Sequence, residues 1–111
     1  MLPIPELDVL LYAQEDGHSP FADWFDALDR QAAAKVTIAV ERLRLGNLSN
    51  VKSVGAGVLE CRINWGPGYR LYLGRDGDKL VILLIGGTKQ RQSADIERAK
   101  LHWADYKRRR P

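Results

Sequence analysis

Apolar and polar positions alternate in two stretches of the chain and recur every three or four residues in three others, which predicts strands and helices respectively. In residues 58–65, Leu59, Cys61, Ile63 and Trp65 point one way and Glu60, Arg62 and Asn64 the other. In residues 69–74, Leu71 and Leu73 take one face and Arg70 and Tyr72 the opposite one. Residues 79–86 are almost continuously apolar, as in a central strand covered on both faces. Gly66-Pro67-Gly68 and Asp76-Gly77 are turn signals that join these three strands into a meander. An earlier strand is expected at residues 9–13, followed by a turn at Asp16-Gly17-His18.

The helical stretches carry their own boundaries. Ser19 is an N-cap, Pro20 suits the first helical position and Asp23 lies in or beside the first turn. Phe21, Trp24, Phe25 and Leu28 form one apolar face, read as core. Asp29 ends this helix and starts a second, which runs to Leu45 and buries Val36, Ala39, Val40 and Leu43 before Gly46-Asn47 stops it. The two are expected to form a helical hairpin. Residues 48–57 are small and polar and read as a loop carrying Lys52. Ser93 is expected to cap a last helix, with Asp95 and Glu97 in its first turn and Ile96, Ala99 and Trp103 as its core stripe. The order β-α-α-β-β-β-α describes an α+β fold with a small antiparallel sheet, and 111 residues suit one domain, residues 1–111.

Composition narrows the setting. Cys61 is the single cysteine, so no internal disulfide can form and a reducing compartment is expected. The start, Met-Leu-Pro-Ile-Pro-Glu, lacks the basic segment and apolar run of a signal peptide, and the longest apolar run, residues 80–85, is too short to span a bilayer. A cytoplasmic protein without a membrane association is the expectation. A formal charge of +3 permits an anionic partner. The basic tail at residues 107–110 is read as favourable charge at a helix C-terminus.

The candidate chemistry comes from strand geometry. A tight turn at Gly66-Pro67-Gly68 sets Trp65 near Tyr69, Asn64 opposite Arg70 and Arg62 opposite Tyr72, so Arg62, Arg70 and Tyr72 converge on one face with Glu60 at the end of the row. Lys89, Arg91 and Gln92 follow the last strand and reach the edge of that face. Adjacent guanidiniums need a carboxylate, a phosphate or water between them. Glu60 can neutralise one, and the remaining charge suits a phosphodiester. Wet strand faces also carry Arg, Glu and Tyr with no further role, and geometry alone favours that plainer reading. Taken singly, Lys52 and Lys89 are ordinary solvated charges, and Gln92 could serve as a helix cap. Other chemistries fit poorly. His18 and His102 are far apart, no residues have zinc spacing, no glycine-rich loop precedes a Lys-Ser/Thr, and Cys61 has no histidine nearby. No metal or cofactor is expected.

Leu59-Glu60-Cys61-Arg62-Ile63, Gly66-Pro67-Gly68-Tyr69-Arg70, Ile85-Gly86-Gly87-Thr88-Lys89 and the stretch from Gln92 through Asp95-Ile96 together resemble the phage-derived addiction module killer proteins of the RelE/ParE/HigB toxin superfamily. The resemblance spans nearly the whole chain and implies a RelE-like fold. It implies a cytoplasmic type II toxin neutralised by a cognate antitoxin, in this group usually a small helix-turn-helix protein. RelE-like members cut mRNA in the ribosomal A site, using the RNA's own 2′-hydroxyl and no metal, and leave a 2′,3′-cyclic phosphate. On this resemblance Arg70 matches the transition-state arginine, and Arg62 matches a basic residue that activates the 2′-hydroxyl or holds phosphate. Lys89 stands where relatives have a Lys-Arg pair. Gln90 replaces the second member and Arg91 follows, so either Lys89 or Arg91 serves the leaving oxygen. Glu60 stands at a position that is basic in RelE, and is either a general base or an orienting group for Arg62. Ile96 stands where RelE places a functional tyrosine. Lys52, Tyr72, Arg91 and Gln92 are the expected RNA contacts. A ParE-like gyrase poison without nuclease activity is the alternative, and a non-toxic binding domain a third reading. The set Arg62, Arg70 and Lys89 favours the nuclease.

Overall fold

The computed structural model describes residues 6–78 and 80–110. The readings of the first five residues and of Lys79 as a strand start fall outside them. The chain runs β1 (Asp8–Leu11), α1 (Pro20–Asp26), α2 (Arg30–Arg44), β2 (Val51–Gly55), β3 (Val58–Ile63), β4 (Tyr69–Asp76), β5 (Leu80–Thr88), a short 3₁₀ turn (Lys89–Arg91) and α3 (Gln92–Arg109). One sheet orders the strands β1-β5-β4-β3-β2.

Three features depart from expectation. First, the sheet is mixed, because β1 pairs in parallel with β5, Val9 beside Val81 and Leu11 beside Leu83. The apolar β5 thereby gains a neighbour on its second edge. Second, part of the expected 48–57 loop is a strand. β2 pairs antiparallel with β3, placing Val51 beside Cys61 and Lys52 beside Glu60. Third, α1 and α2 touch each other across their short connection but pack chiefly on the sheet. α1 lies on β5 and α2 against β3, so each buries its apolar stripe on the sheet.

Two cores result, one on each side of the sheet. Under α1 and α2 lie Phe21, Val36, Leu43, Cys61, Leu71 and Leu83. Burial pushes the Cys61 thiol up to about 11, as expected of a core cysteine. Under α3 lie Val58, Tyr72, Ile82, Leu84, Ala99 and Trp103. The caps of the first two helices are those expected: Ser19 Oγ accepts the Ala22 N–H at 3.1 Å and Asp29 Oδ1 the Ala32 N–H at 2.8 Å. At α3 the expectation fails. The helix opens at Gln92 from the 3₁₀ turn with no side-chain cap, and Ser93 lies inside it. No described helix is long and apolar enough to cross a membrane.

Glycines let aromatic rings sit on the strands. The Trp24 ring covers Gly86, and a Cβ there would overlap it. Gly86→Ala is therefore expected to destabilise the fold by about 1–3 kcal/mol, measured as a lower urea midpoint at unchanged slope.

At the far end of α3, Tyr12 donates a hydrogen bond of 2.6 Å to Asp105, which also pairs with Arg108 and Arg109. The Tyr12 hydroxyl and then the arginines hold the Asp105 carboxyl down at about 2. A depressed carboxyl contributes stability above its ordinary value of about 4 and loses it as the pH falls toward 2. Asp105→Asn should therefore lower the melting temperature at pH 7, and the gap from wild type should close at pH 2.

Candidate functional site

β3 and β4 alternate so that Val58, Glu60 and Arg62, and Arg70 and Tyr72, all face the α3 side. The pairing is Glu60 with Tyr72 and Arg62 with Arg70. This register is shifted by two residues from the expected one, which had Arg62 opposite Tyr72 and Asn64 opposite Arg70. The turn is longer than Gly66-Pro67-Gly68: Asn64 and Trp65 leave the ladder as well, closed by Trp65 N–H to Ile63 O at 2.9 Å and Gly68 N–H to Trp65 O at 3.1 Å. The shift brings the two arginines directly opposite each other.

Like charges so placed repel, and Glu60 lies between them, fully buried. Its Oε1 is 3.4 Å from Arg62 Nε and 3.8 Å from Lys52 Nζ, and its Oε2 is 3.7 Å from Arg70 Nε. Tyr72 donates its hydroxyl to Oε2 at 3.1 Å and Gln92 donates its amide at 2.8 Å. Three cations and two neutral donors from β2, β3, β4 and α3 thus converge on one carboxylate. Burial first, and the Glu60 charge second, push the Tyr72 phenol far up, so it stays protonated.

Arg70 is 6% exposed. One of its terminal nitrogens donates to the Gly68 carbonyl at 3.0 Å, while its Nε is buried with no hydrogen-bond partner. Gly68 has φ +77°, a backbone conformation that favours glycine, and a Cβ there would lie in ordinary contact with Arg70 and Lys89. The Lys89 N–H also bonds the Gly68 carbonyl, at 2.9 Å. This bond, next to the Tyr69–Thr88 pair, ties the end of β5 to the start of β4. A cavity of about 320 Å³ opens beside this junction, lined by Arg62, Trp65, Tyr69, Arg70 and Lys89. Trp65 and Tyr69 stack in its wall with centroids 6.1 Å apart.

The family described as phage derived protein Gp49-like (DUF891) matches residues 23–108, from α1 to the last turn of α3. The chain belongs to this Gp49-like family. A Haemophilus influenzae protein, described as uncharacterized, is 45% identical over 82 residues, covering 73% of this chain and 83% of that one.

In this Gp49-like protein the expected site residues divide into two groups. Glu60, Arg62, Arg70, Lys52 and Gln92 meet at one carboxylate, and Lys89 joins Arg62 and Arg70 at the cavity. Tyr72, expected as an RNA contact, is fully buried and points at Glu60. Arg91 lies apart. The 3₁₀ turn carries it to a second cavity between α1 and α3, with Asp95 and Arg98. Gln92 does not cap α3, because its amide is committed to Glu60. Asp95 is buried over Gly87, where any Cβ would collide with it, and the glycine pair Gly86-Gly87 in a buried strand was the available signal for that close approach. No three His, Cys, Asp or Glu residues stand close enough among the described residues to hold a metal ion.

Proposed function

We propose that this Gp49-like protein is the toxin of a toxin–antitoxin pair and that it cleaves mRNA across the cavity bordered by Arg62, Arg70 and Lys89. The observation that carries this reading is the pair of arginines, opposite each other on one sheet face, with one buried carboxylate shared among three cations. That arrangement keeps positive charge in excess and holds it in place, as a phosphodiester requires.

In the reaction the 2′-oxygen attacks the adjacent phosphorus and the bond to the 5′-oxygen breaks. The products are a 2′,3′-cyclic phosphate and a 5′-hydroxyl. Arg70 and Arg62 bind the non-bridging oxygens as charge builds on them. The 2′-hydroxyl proton leaves to solvent, and Lys89 donates one to the departing 5′-oxygen. Lys89 suits this step better than Arg91, because it borders the same cavity as the arginines. Glu60 is a positioning residue: it has no exposed surface to offer a substrate, and both its oxygens are engaged. The same burial argues against its acting as the general base.

A cognate antitoxin remains part of the proposal. It would cover the cationic face or α2, where Ile38 on the helix and Leu45 just past its end are both about half exposed.

The test is to map mRNA ends after induction, with and without translating ribosomes. New ends bearing 2′,3′-cyclic phosphate that require translation support a ribosome-dependent nuclease. Intact mRNA with accumulated gyrase–DNA cleavage complexes replaces this reading by the ParE-like one.

A further inference from the structure

A third cavity, about 360 Å³, lies between α2 and β3 and takes no part in the mechanism above. Lys35 and Arg42 line it from the helix, and Asn50 and Asn64 from the segments that flank β2 and β3. No aspartate or glutamate lines it. The one acidic residue of α2, Glu41, is taken by Arg44, which also takes Glu6. Lys35 and Arg42 are both exposed and are left with surplus positive charge. Lys35 Nζ stands 5.9 Å from the centre of the Trp65 ring, close enough for the ring to hold the ammonium over its face.

The spacing of the two cations says what kind of anion they suit. They are seven residues apart on one helix, two turns or about 10 Å along its axis. Separate anchor points on one side of a helix fit a chain of charges better than a single small anion. The position says which chain. Arg62, Ile63, Asn64 and Trp65 border both this cavity and the one proposed for cleavage, so the two grooves meet at the end of β3. Arg62 is shared with Glu60, and Lys35 is the first uncommitted cation beyond it. A strand held for cutting must continue past the scissile phosphate, and this groove is where the charge continues. Backbone phosphates are held by such cationic grooves. The amides of Asn50 and Asn64 offer donors and acceptors that suit 2′-hydroxyls and base edges.

We infer that the groove between α2 and β3 carries the part of a single-stranded RNA that flanks the cut. Lys35 holds the first phosphate beyond the cleavage cavity and Arg42 a later one. The inference rests on the reading of this protein as an RNA-cutting toxin. An acidic segment of a partner protein would satisfy the same two cations, but it has no reason to follow the border shared with the cleavage cavity.

The test uses the full chain and a fluorescent, fully 2′-O-methylated oligonucleotide of about ten nucleotides, which cannot be cut because the attacking hydroxyl is blocked. Binding is followed by anisotropy at several salt concentrations. The double variant Lys35→Ala/Arg42→Ala should bind about three- to tenfold more weakly, and its salt slope should fall by about 1.4, the share of two phosphates on a single strand. Both positions are exposed and alanine favours helix, so the melting temperature should hold. Lys100→Ala/Lys107→Ala removes the same charge from α3 and should leave affinity and slope nearly unchanged at physiological salt. A poly-glutamate peptide of similar length should bind the wild type more weakly than the oligonucleotide. An unchanged slope in the groove variant, an equal loss in the α3 variant, or no saturable oligonucleotide binding would each overturn the inference. So would poly-glutamate binding that matches the oligonucleotide and is lost in the groove variant, which would assign the groove to an acidic protein segment. Binding is measured without cleavage. A groove that behaves as expected in a protein that leaves mRNA intact refutes the nuclease and not the groove, and an active nuclease whose groove variant binds like wild type does the reverse.

Discussion

Arg70→Ala is expected to abolish growth arrest and to lower mRNA cleavage by about 10²–10³-fold, the usual cost of removing one group that stabilises developing negative charge. Arg70 is the better buried of the two arginines, and its terminal nitrogen is fixed on the Gly68 carbonyl. A cation held in this way needs no rearrangement as charge builds on phosphorus, and a low-dielectric setting strengthens its effect. Arg62 is half exposed and screened, so Arg62→Ala should cost less. Arg70→Lys should recover little, because an ammonium cannot reproduce the two-pronged geometry. Glu60 keeps Arg62 and Lys52 as counter-charges in the variant, so the fold should persist. Retained antitoxin binding and an unchanged circular dichroism spectrum check this. Undiminished growth arrest in Arg70→Ala would rule out phosphodiester chemistry at this face.

Glu60→Ala should be the most destabilising single change at the site, by about 3–5 kcal/mol, the cost of removing one partner from a buried ion pair. Arg70 would lose its only nearby carboxylate among the described residues while remaining buried, and Tyr72 and Gln92 would keep donors with no acceptor. Lys52 and Arg62 add less, because each is about half exposed and solvent screens it. For a domain near this size the loss corresponds to a fall in melting temperature of more than about 10 °C. Glu60→Gln keeps an acceptor for Tyr72 and should fold better than Glu60→Ala, while still releasing the arginines from their fixed positions. A urea titration of the three proteins orders them. Equal stability of Glu60→Ala and wild type would mean that water replaces the carboxylate.

Legibility in the sequence followed the range of the interactions. Strict alternation in residues 58–63 and 69–73 was enough to put Arg62 and Arg70 on one face, because side-chain direction in a strand is a local property. Register is not local. It depends on where the turn closes, and Asn64 and Trp65 carry no signal that they leave the ladder. β2 was invisible for a similar reason: Lys52, Ser53 and Gly55 are poor strand formers, held by pairing with β3. The Ser19 and Asp29 caps were readable because each is satisfied within three residues. The position of Glu60 as a common partner was not, since its contacts come from residues 52, 62, 70, 72 and 92. The burial of Asp95 was not legible either, because it depends on Gly87 in another element.

The parallel pairing of β1 with β5 also bears on when the protein can act during its own synthesis. The first strand emerges from the ribosome early and must wait about seventy residues for its neighbour, a long loop to close. Arg62 and Arg70 are made before Lys89 and Gln92, so the nascent chain holds its arginines without the groups that complete and support them. On the proposed reading the cleavage face is therefore complete only once Lys89 and Gln92 have been made and have met the arginines that precede them.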